Sequence, residues 1–248
     1  MQTVQKVEQV KHLPLKFGEI ARYVIVPGDP NRVPLIADSL DNSIHQGQNR
    51  EFNAYKGTYK GIDVSVVSTG IGCPSTAIAV EELSYIGAEV LIRIGTSGSV
   101  DKSATKGEIF IATAAVRDDG TSKQYMPIEF PAIASHDVVD NLIKASKDLD
   151  IDTKVGICQS KDSFFGETEP ERMPVAPYLD YKWSSWKKGG VGASEMEAAT
   201  LFTLSHIKKI RAGAILAIET SDKETVQDMT KIVLESITYM EGSRDVEK

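Results

Sequence analysis

The sequence has few of the residues that stabilise small secreted or metal-bound proteins. Its 248 residues include two cysteines, Cys73 and Cys158, and neither lies in a CxxC or Cys/His spacing. A disulfide framework and a structural zinc site are therefore not expected. A chain of this length buries roughly three quarters of the surface that its unfolded form exposes, so a hydrophobic core is sufficient to hold it together.

The chain also lacks an excess of positive charge and any long apolar run. Its formal net charge is −7 at pH 7, whereas a general nucleic-acid binder needs a basic face to displace counterions. The start of the chain has no apolar core of signal-peptide length, and no later stretch approaches the length of a membrane span. We expect a cytoplasmic protein that binds neither nucleic acid nor membrane, although a local arginine cluster can still hold a small anion.

Short apolar runs alternate with amphipathic segments along the chain. Several runs are too uniformly apolar to have a wet face, which is typical of buried strands. Strands that alternate with helices predict a single α/β domain, residues 1–248, with a mostly parallel sheet covered by helices on both faces. The predicted strands are 23–26, 64–68, 90–94, 109–115, 155–159 and 214–218, and apolar spacing predicts helices around 79–86, 139–149, 198–202 and 233–240.

Two further local features are predicted. Ser194 and Glu197 fit a capping box at the start of the third of these helices. Residues 164–188, rich in Pro, Glu and aromatics, form the least regular stretch, and a long loop inside a compact domain is usually functional or mobile.

Three glycine-rich segments each follow or end an apolar strand. They are VPGDPNR at 26–32, STGIGCPST at 68–76 and RIGTSGS at 93–99. Glycine at a strand end lets backbone N–H groups approach a bound anion. None of the three matches a dinucleotide-binding or Walker pattern, and each alone is more often a tight turn between a strand and a helix.

Arg93 is the most informative single residue, because it interrupts the apolar strand VLIRIG. A buried guanidinium requires an anionic partner, since leaving it unpaired is strongly destabilising. The partner could be an internal carboxylate or a bound anion, and the sequence leaves both open. Arg32 and Arg50 lie near predicted turns, and arginine forks pair bidentately with phosphate oxygens.

Glu195 and Glu197 lie in the segment GASEMEAA, at the predicted start of a helix. Residues two apart on a helix do not share a face, so a catalytic carboxylate pair is not expected. An acidic first turn stabilised by the helix dipole is the favoured interpretation. The alternative is that one carboxylate accepts hydrogen bonds from a sugar diol.

In chain order, five segments resemble the nucleoside phosphorylase family, which includes purine nucleoside and uridine phosphorylases. The segments are VPGDPNR, NREF, STGIGCPST, RIGTSGS and SEMEAA, and the resemblance extends from His12 to about Asp222. Residues 122–132, 161–165 and 169–174 are similar to those of the uridine phosphorylase branch. The resemblance implies a central mixed sheet and phosphate-dependent cleavage of uridine to uracil and ribose 1-phosphate. It also implies a homodimer or homohexamer with active sites shared between subunits, and phosphate as co-substrate in place of a cofactor.

The resemblance implies roles for individual residues, with Arg93, Glu197 and Arg172 as the catalytic ones. The phosphate site would contain Gly28, Arg32, Arg93 and Thr96, with Arg50 from a neighbouring subunit. The nucleoside would contact Glu195, Met196, Glu197, Phe164 and Arg172, with His12 from the partner. Glu51, Ile71 and Ser75 match positions that hold a monovalent cation such as K⁺ between subunits, although they could equally pack a dimer interface.

Two departures from the family pattern affect the base. Glu167 occupies the position of a glutamine that reads uracil, and its charge would oppose the negative charge that develops on a leaving base; a solvated Glu167 is the alternative. Asp222 matches the acid that protonates purine N7 in purine nucleoside phosphorylases, which would require a raised pKa. The favoured interpretation is that Asp222 caps the helix that begins near Thr225.

Uridine phosphorylase is the favoured function, and two alternatives stay open. One is a purine nucleoside phosphorylase with Asp222 as general acid. The other is a non-catalytic nucleoside-binding relative, because the chain after Asp222 looks short for a flap that closes over the base. A nucleoside hydrolase is disfavoured, since it would have no use for Arg32 and Arg93.

Overall fold

The computed structural model describes residues 10–100 and 104–246. Every apolar run that predicted a strand forms one, because buried β-branched and aliphatic residues fit a pleated sheet. Four further strands were not predicted, at Asp41–Asn49, Phe52–Tyr59, Ala132–Ile133 and Val191–Glu195. In chain order the strands are β1 Tyr23–Ile25, β2 Asp41–Asn49, β3 Phe52–Tyr59, β4 Ile62–Val67, β5 Val90–Ser99, β6 Ile109–Asp118, β7 Ala132–Ile133, β8 Thr153–Lys161, β9 Val191–Glu195 and β10 Arg211–Ile218.

The four helices predicted from apolar spacing are present as α2, α4, α7 and α8. Helix α2 has a proline in its first turn and ends at Gly87, which adopts the left-handed φ of 117° that glycine tolerates. The helices are α1 Arg32–Ala37, α2 Cys73–Ile86, α3 Thr121–Tyr125, α4 His136–Asp148, α5 Phe165–Thr168, α6 Ala176–Lys188, α7 Ala198–Lys208 and α8 Lys223–Val246, with a 3₁₀ turn at Pro170–Arg172.

The strands form one mixed sheet in the order β10-β6-β8-β9-β5-β1-β4-β3-β2. Strand β10 also pairs with β5, so β5, β9, β8, β6 and β10 close into a ring. Among the described residues five strand pairings are parallel and five are antiparallel. The mixed sheet is confirmed, but parallel pairs do not predominate, because short turns join β2, β3 and β4 into an antiparallel meander.

Helices cover the sheet on both faces, which confirms the three-layer α/β architecture. One cluster of buried side chains contains Leu83 of α2 and Phe202 of α7, and these two helices pack together. The other cluster contains Ile36 of α1, Leu142 of α4 and Ile237 of α8. No helix within residues 10–100 and 104–246 is long and apolar enough to cross a membrane.

Two predicted loops and one predicted cap are wrong. Residues 93–99 continue β5, because β10 pairs with them as far as Ser97 and β9 pairs with the last two. Residues 164–188 are largely helical, as α5, the 3₁₀ turn and α6. Ser194 lies in β9, so the helix start needs another cap, which Glu195 supplies.

Candidate active site

A large cleft of about 1090 Å³ opens where several strands end. Residues that follow β1, β4 and β10 line it, together with the second half of β5 and the ends of β8 and β9. The carboxyl ends of parallel strands are where ligands bind in α/β sheets, because the turns there present backbone N–H groups and side chains to one crevice. Most residues predicted for the site line this cleft: Gly28, Arg32, Glu51, Ile71, Ser75, Arg93, Thr96, Phe164, Glu167, Glu195, Met196, Glu197 and Asp222.

Arg93 is buried at the floor of the cleft, with 4% of its surface exposed. Its Nε donates to Glu195 Oε2 at 3.0 Å, and its Nη2 donates to Glu197 Oε2. The guanidinium folds over Gly95, where a Cβ would lie 2.7 Å from Nη2. Both carboxylates are internal, so the anionic partner that the sequence required is present, and Gly95 provides the space for this arrangement.

The two carboxylates converge because they do not lie on one helix. Glu195 is the last residue of β9, and Glu197 is the residue before α7. Glu195 Oε2 accepts the backbone N–H groups of Glu197 at 2.8 Å and Ala198 at 2.9 Å, which caps α7. Ser160 Oγ donates to the same side chain at 2.5 Å. The premise that Glu195 and Glu197 lie on one helix, and hence on different faces of it, is therefore wrong.

Glu197 connects this floor to the turn before α2. Its Oε1 accepts the backbone N–H of Gly72 at 2.6 Å. Burial raises the pKa of Glu197 above its ordinary value, although the Arg93 guanidinium acts in the opposite direction. Burial acts to lower the pKa of Arg93, but the carboxylates of Glu197 and Glu195 outweigh it and raise that pKa. Arg93 is therefore a permanent cation.

One donor of Arg93 remains available. Among the described residues its buried Nη1 has no hydrogen-bond partner, and it lies 3.6 Å from the position that a Cβ on Gly28 would occupy. Burial lowers the pKa of Arg32, and the nearby Arg93 lowers it further, against the opposite effects of Asp29 and Glu197. The two guanidiniums are close enough to repel each other, and one of their donors, Nη1 of Arg93, is left without a partner among the described residues. This arrangement favours the binding of an anion between them.

The opposite end of the cleft contains an aromatic ring and an ion pair. Phe164 is 53% exposed and faces the cleft. Glu167 pairs with Lys161 Nζ at 3.0 Å, and only 13% of its side chain is exposed. A freely solvated Glu167 is therefore wrong. Sequence reasoning missed the role of Lys161, and the available signal was a lysine two residues after the predicted strand 155–159, where β8 ends.

Three predicted site residues lie away from the cleft of their own chain. Arg172 is paired with Glu169, its side chain is 63% exposed, and it is not among the residues that line the cleft. His12 Nδ1 lies 2.7 Å from Glu82 Oε1. Arg50 is exposed at the β2–β3 turn, in a left-handed conformation with φ of 53°. The roles of these residues stay predictions.

Asp222 caps α8, as the favoured interpretation has it, and its role as a general acid stays a prediction that this environment does not favour. Its carboxylate accepts the backbone N–H of Thr225 at 2.9 Å and the hydroxyls of Thr220 at 2.5 Å and Thr225 at 2.9 Å. The hydrogen bond from Thr220, followed by those from Thr225, lowers the pKa of Asp222 to about 2. A general acid near neutral pH needs a shift in the opposite direction.

Glu51, Ile71 and Ser75 all line the cleft, and Glu51 and Ser75 are in contact there. Ser75 Oγ lies 2.9 Å from Glu51 Oε1 and contacts the carbonyl oxygen of Thr69. Ile71 is 78% exposed. In the described part of the chain no cluster of three or more His, Cys, Asp or Glu side chains suits a metal ion. The oxygens gathered here are of the carboxylate, hydroxyl and carbonyl kinds that hard monovalent cations prefer.

Comparison with known proteins gives consistent results. The sequence profile of the phosphorylase superfamily matches residues 22–239. Over 232 residues the chain is 42% identical to a uridine phosphorylase of Treponema pallidum (strain Nichols), covering 94% of this chain and 90% of that protein. It is 41% identical to a guanosine phosphorylase of Halorubrum lacusprofundi, over 84% of this chain and 82% of the relative. A uridine phosphorylase of Escherichia coli (strain K12) is 38% identical, over 84% and 85% of the respective chains.

Proposed function

The chain belongs to the phosphorylase superfamily, and on that basis we propose that it is a uridine phosphorylase, a pentosyltransferase that cleaves uridine with inorganic phosphate. Several relatives that match most of the chain carry this name. The observation that carries the proposal is Nη1 of buried Arg93, which has no hydrogen-bond partner among the described residues and shares the cleft with Arg32. A protein that only binds a nucleoside has no use for this arrangement.

Phosphate binding is the first role of the cleft. Nη1 of Arg93 and the guanidinium of Arg32 would donate to phosphate oxygens. The backbone at Gly28 lies close enough to contribute, because a Cβ there would be 3.6 Å from Nη1 of Arg93. Thr96 adds a hydroxyl from β5. The gain comes from positioning and charge neutralisation, since phosphate needs no covalent activation to attack a sugar carbon.

The sugar would lie between phosphate and base, next to Met196 and Glu197. Glu197 is fixed by Gly72 and Arg93, so its oxygens have little freedom to move. A carboxylate held there can accept hydrogen bonds from ribose hydroxyls and stabilise positive charge that develops at the anomeric carbon. A transition state of that kind is better stabilised by fixed charge than the ground state is.

The reaction exchanges one bond for another. A phosphate oxygen forms a bond to C1′ while the bond between C1′ and the base nitrogen breaks, and the electron pair leaves with the base. The products are ribose 1-phosphate and uracil, and the proton of hydrogen phosphate is transferred in net terms to the base. Nothing in this balance requires Asp222 as an acid when the base is uracil, because the charge is delocalised onto carbonyl oxygens.

We further propose that two subunits complete each site, with Arg50 and His12 supplied by the partner. Both residues lie outside the cleft of their own chain, and an arginine held at a turn tip can reach a neighbouring molecule. Co-expression of Arg50→Ala with Arg93→Met tests this, because a mixed dimer contains one site with both arginines. Recovered activity would support shared sites, whereas mixed oligomers without activity would refute them.

A monovalent cation at Glu51 and Ser75 is a separate proposal. The residues gather oxygen ligands beside the phosphate end of the cleft. Activity with KCl that exceeds activity with tetramethylammonium chloride, and loses this difference in Glu51→Gln, would support it. An equal response of the wild type to both salts would count against it.

Phosphorolysis of guanosine is the second candidate function. The guanosine phosphorylase relative supports it, and a carboxylate at the base end, Glu167, can accept the N1–H and 2-amino groups of guanine. The lowered pKa of Asp222 argues against the purine mechanism in which Asp222 protonates N7.

The test is base release from uridine, thymidine, guanosine, inosine and adenosine, each with and without phosphate. Phosphate-dependent uracil release is the expected result, with Arg93→Met as the inactive control. Phosphate-dependent guanine release alone would favour the second candidate. Base release that is independent of phosphate, or none at all, would refute the proposed function.

A further inference from the structure

Lys161 is a buried cation at the base end of the cleft, and the phosphate and ribose contacts make no use of it. It is the last residue of β8, and 7% of its surface is exposed. Its Nζ lies 2.7 Å from Ser194 Oγ and 3.0 Å from Glu167 Oε2. A lysine ammonium has three donor protons. These two acceptors leave one proton for the cleft that Lys161 lines.

Glu167 is oriented by the same contacts. Both Lys161 and Ser194 meet its Oε2, with Ser194 Oγ at 2.5 Å. Its Oε1 is directed toward β5, 3.4 Å from where a Cβ on Gly98 would lie. Gly98 lines the cleft as well. The pair therefore presents an acceptor, Oε1, and a donor, Nζ, side by side to a ligand.

A chain of hydrogen bonds holds the pair in place from behind. Gln159 Oε1 lies 2.5 Å from Ser194 Oγ, and Gln159 Nε2 donates to Asp118 Oδ2 at 2.9 Å. Lys182 pairs with the other oxygen of Asp118. Side chains locked in this way lose little further entropy when a ligand binds, which favours a specific contact.

We propose that Lys161 and Glu167 form the pair that reads the base, and that they select bases that carry a carbonyl oxygen beside a ring N–H. Nζ donates to the carbonyl oxygen, and Oε1 accepts the N–H. Uracil, thymine, hypoxanthine and guanine present this edge. Cytosine and adenine present an amino group beside an unprotonated nitrogen, which would place donor against donor and acceptor against acceptor. This inference rests on the proposed function.

The pair also explains how a carboxylate is tolerated beside a leaving base. Negative charge spreads over the carbonyl oxygens of the base as the bond to C1′ breaks. Glu167 alone would oppose that charge, but the Lys161 ammonium offsets the carboxylate and donates to the oxygen where the charge collects. The pair as a whole is neutral, and its positive end meets the leaving group.

The first test replaces Lys161 by methionine and measures kcat/KM for uridine and cytidine. Lys161→Met should lower kcat/KM for uridine by roughly 10- to 100-fold, as expected for a lost hydrogen bond to a charged group. It should not lower the cytidine value in proportion, so the ratio of uridine to cytidine falls. Lys154→Met is the matched control, because Lys154 lies on the same strand and pairs with Glu108 at the same distance of 3.0 Å. Equal losses for both nucleosides would refute base reading and indicate a structural role.

A second variant avoids leaving the Glu167 carboxylate as an unpaired charge, which could itself disturb folding. Lys161→Met leaves Glu167 without its cation, so the double variant Lys161→Met with Glu167→Gln restores neutrality. Because a glutamine amide both donates and accepts, the double variant should fold normally and show the lowest ratio of uridine to cytidine. A double variant that keeps the wild-type ratio would overturn the proposal.

Binding of free bases separates this inference from the proposed function. Calorimetry should show that the wild type binds uracil and hypoxanthine more tightly than cytosine and adenine, and that Lys161→Met removes this difference in affinity. This result would support the pair even if the wild type turned over no nucleoside. Equal binding of all four bases by the wild type would refute the pair even if uridine were cleaved.

Discussion

Replacing Arg93 by methionine should destabilise the protein in a pH-dependent way. Methionine keeps much of the arginine stem but removes the cation between Glu195 and Glu197, which are 3% and 5% exposed. Removing one partner of a buried ion pair costs about 3–5 kcal/mol, because the remaining charge stays desolvated. We expect this loss of unfolding free energy at pH 8, together with loss of phosphate-dependent turnover.

The loss should shrink as the pH falls. Burial raises the pKa of Glu197 even against the opposing Arg93 guanidinium, so without Arg93 this pKa should lie further above the unfolded value of about 4.3. The folded variant therefore binds more protons than the unfolded chain between those two values, and its stability rises as the pH falls through the raised pKa. Each additional bound proton contributes about 1.4 kcal/mol per pH unit in that window.

Urea unfolding at several pH values, at matched protein concentration, measures both effects. Arg22→Met is the control, because Arg22 pairs with Glu89 at 2.8 Å near the surface and should contribute about 1 kcal/mol or less. A loss for Arg93→Met no larger than that of the control, or one that does not change with pH, would refute the assignment of Glu195 and Glu197 as its partners.

Three further predictions follow from individual contacts. Gly95→Ala places a Cβ 2.7 Å from Arg93 Nη2 and 3.0 Å from a methyl group of Leu216. The guanidinium should then be misplaced, so kcat/KM should fall about 100-fold while the circular dichroism spectrum stays unchanged. Full activity of the variant would contradict this steric argument. Asp222→Ala should lower the melting temperature through loss of the α8 cap and leave uridine turnover intact. Asp222→Asn should be as stable as the wild type near pH 2 and less stable above pH 3.8, since the wild-type pKa is lowered from 3.8 to about 2. Loss of activity in the asparagine variant would instead support Asp222 as a general acid. Burial raises the pKa of Glu197, so the acidic limb of the pH profile of kcat/KM should lie above the ordinary range for glutamate. The residual activity of Glu197→Gln should lack this limb. A limb that is unchanged in the variant would belong to another group.

The burial of Arg93 and its need for an anionic partner could be predicted from the sequence, because both depend only on the residues directly beside it. A cation inside VLIRIG must be buried by the strand and must have a partner, whatever the topology. The identity of the partners does not follow from the sequence. Glu195 and Glu197 converge on Arg93 because β9 ends between them and α7 begins just after, and that boundary depends on pairing with β5 and β8.

Helices and strands that lack a buried apolar stripe could not be predicted from the sequence, for a related reason. Helix α6 has no fully buried residue, and Tyr178 and Tyr181 are 60% and 69% exposed. Periodicity of apolar residues reports burial rather than backbone conformation, so a helix exposed on most sides gives little signal. Strand β2, which is exposed over most of its length, fails for the same reason.

Within residues 10–100 and 104–246, the ring formed by β5, β9, β8, β6 and β10 leaves the nine-residue β2 as a long margin of the sheet that pairs on one side alone. Such a margin is a template for adding strands from other chains and hence for fibrous aggregation. Here β2 is interrupted by two register shifts, and Asn49 donates to the carbonyl oxygen of His12 at 2.7 Å while Gln46 donates to that of Glu19 at 3.0 Å. These contacts hold the segment that carries His12 against the margin, and its Leu13 and Leu15 are part of the core. Truncation up to Glu19 should therefore lower the free energy of unfolding as well as increase aggregation of concentrated protein.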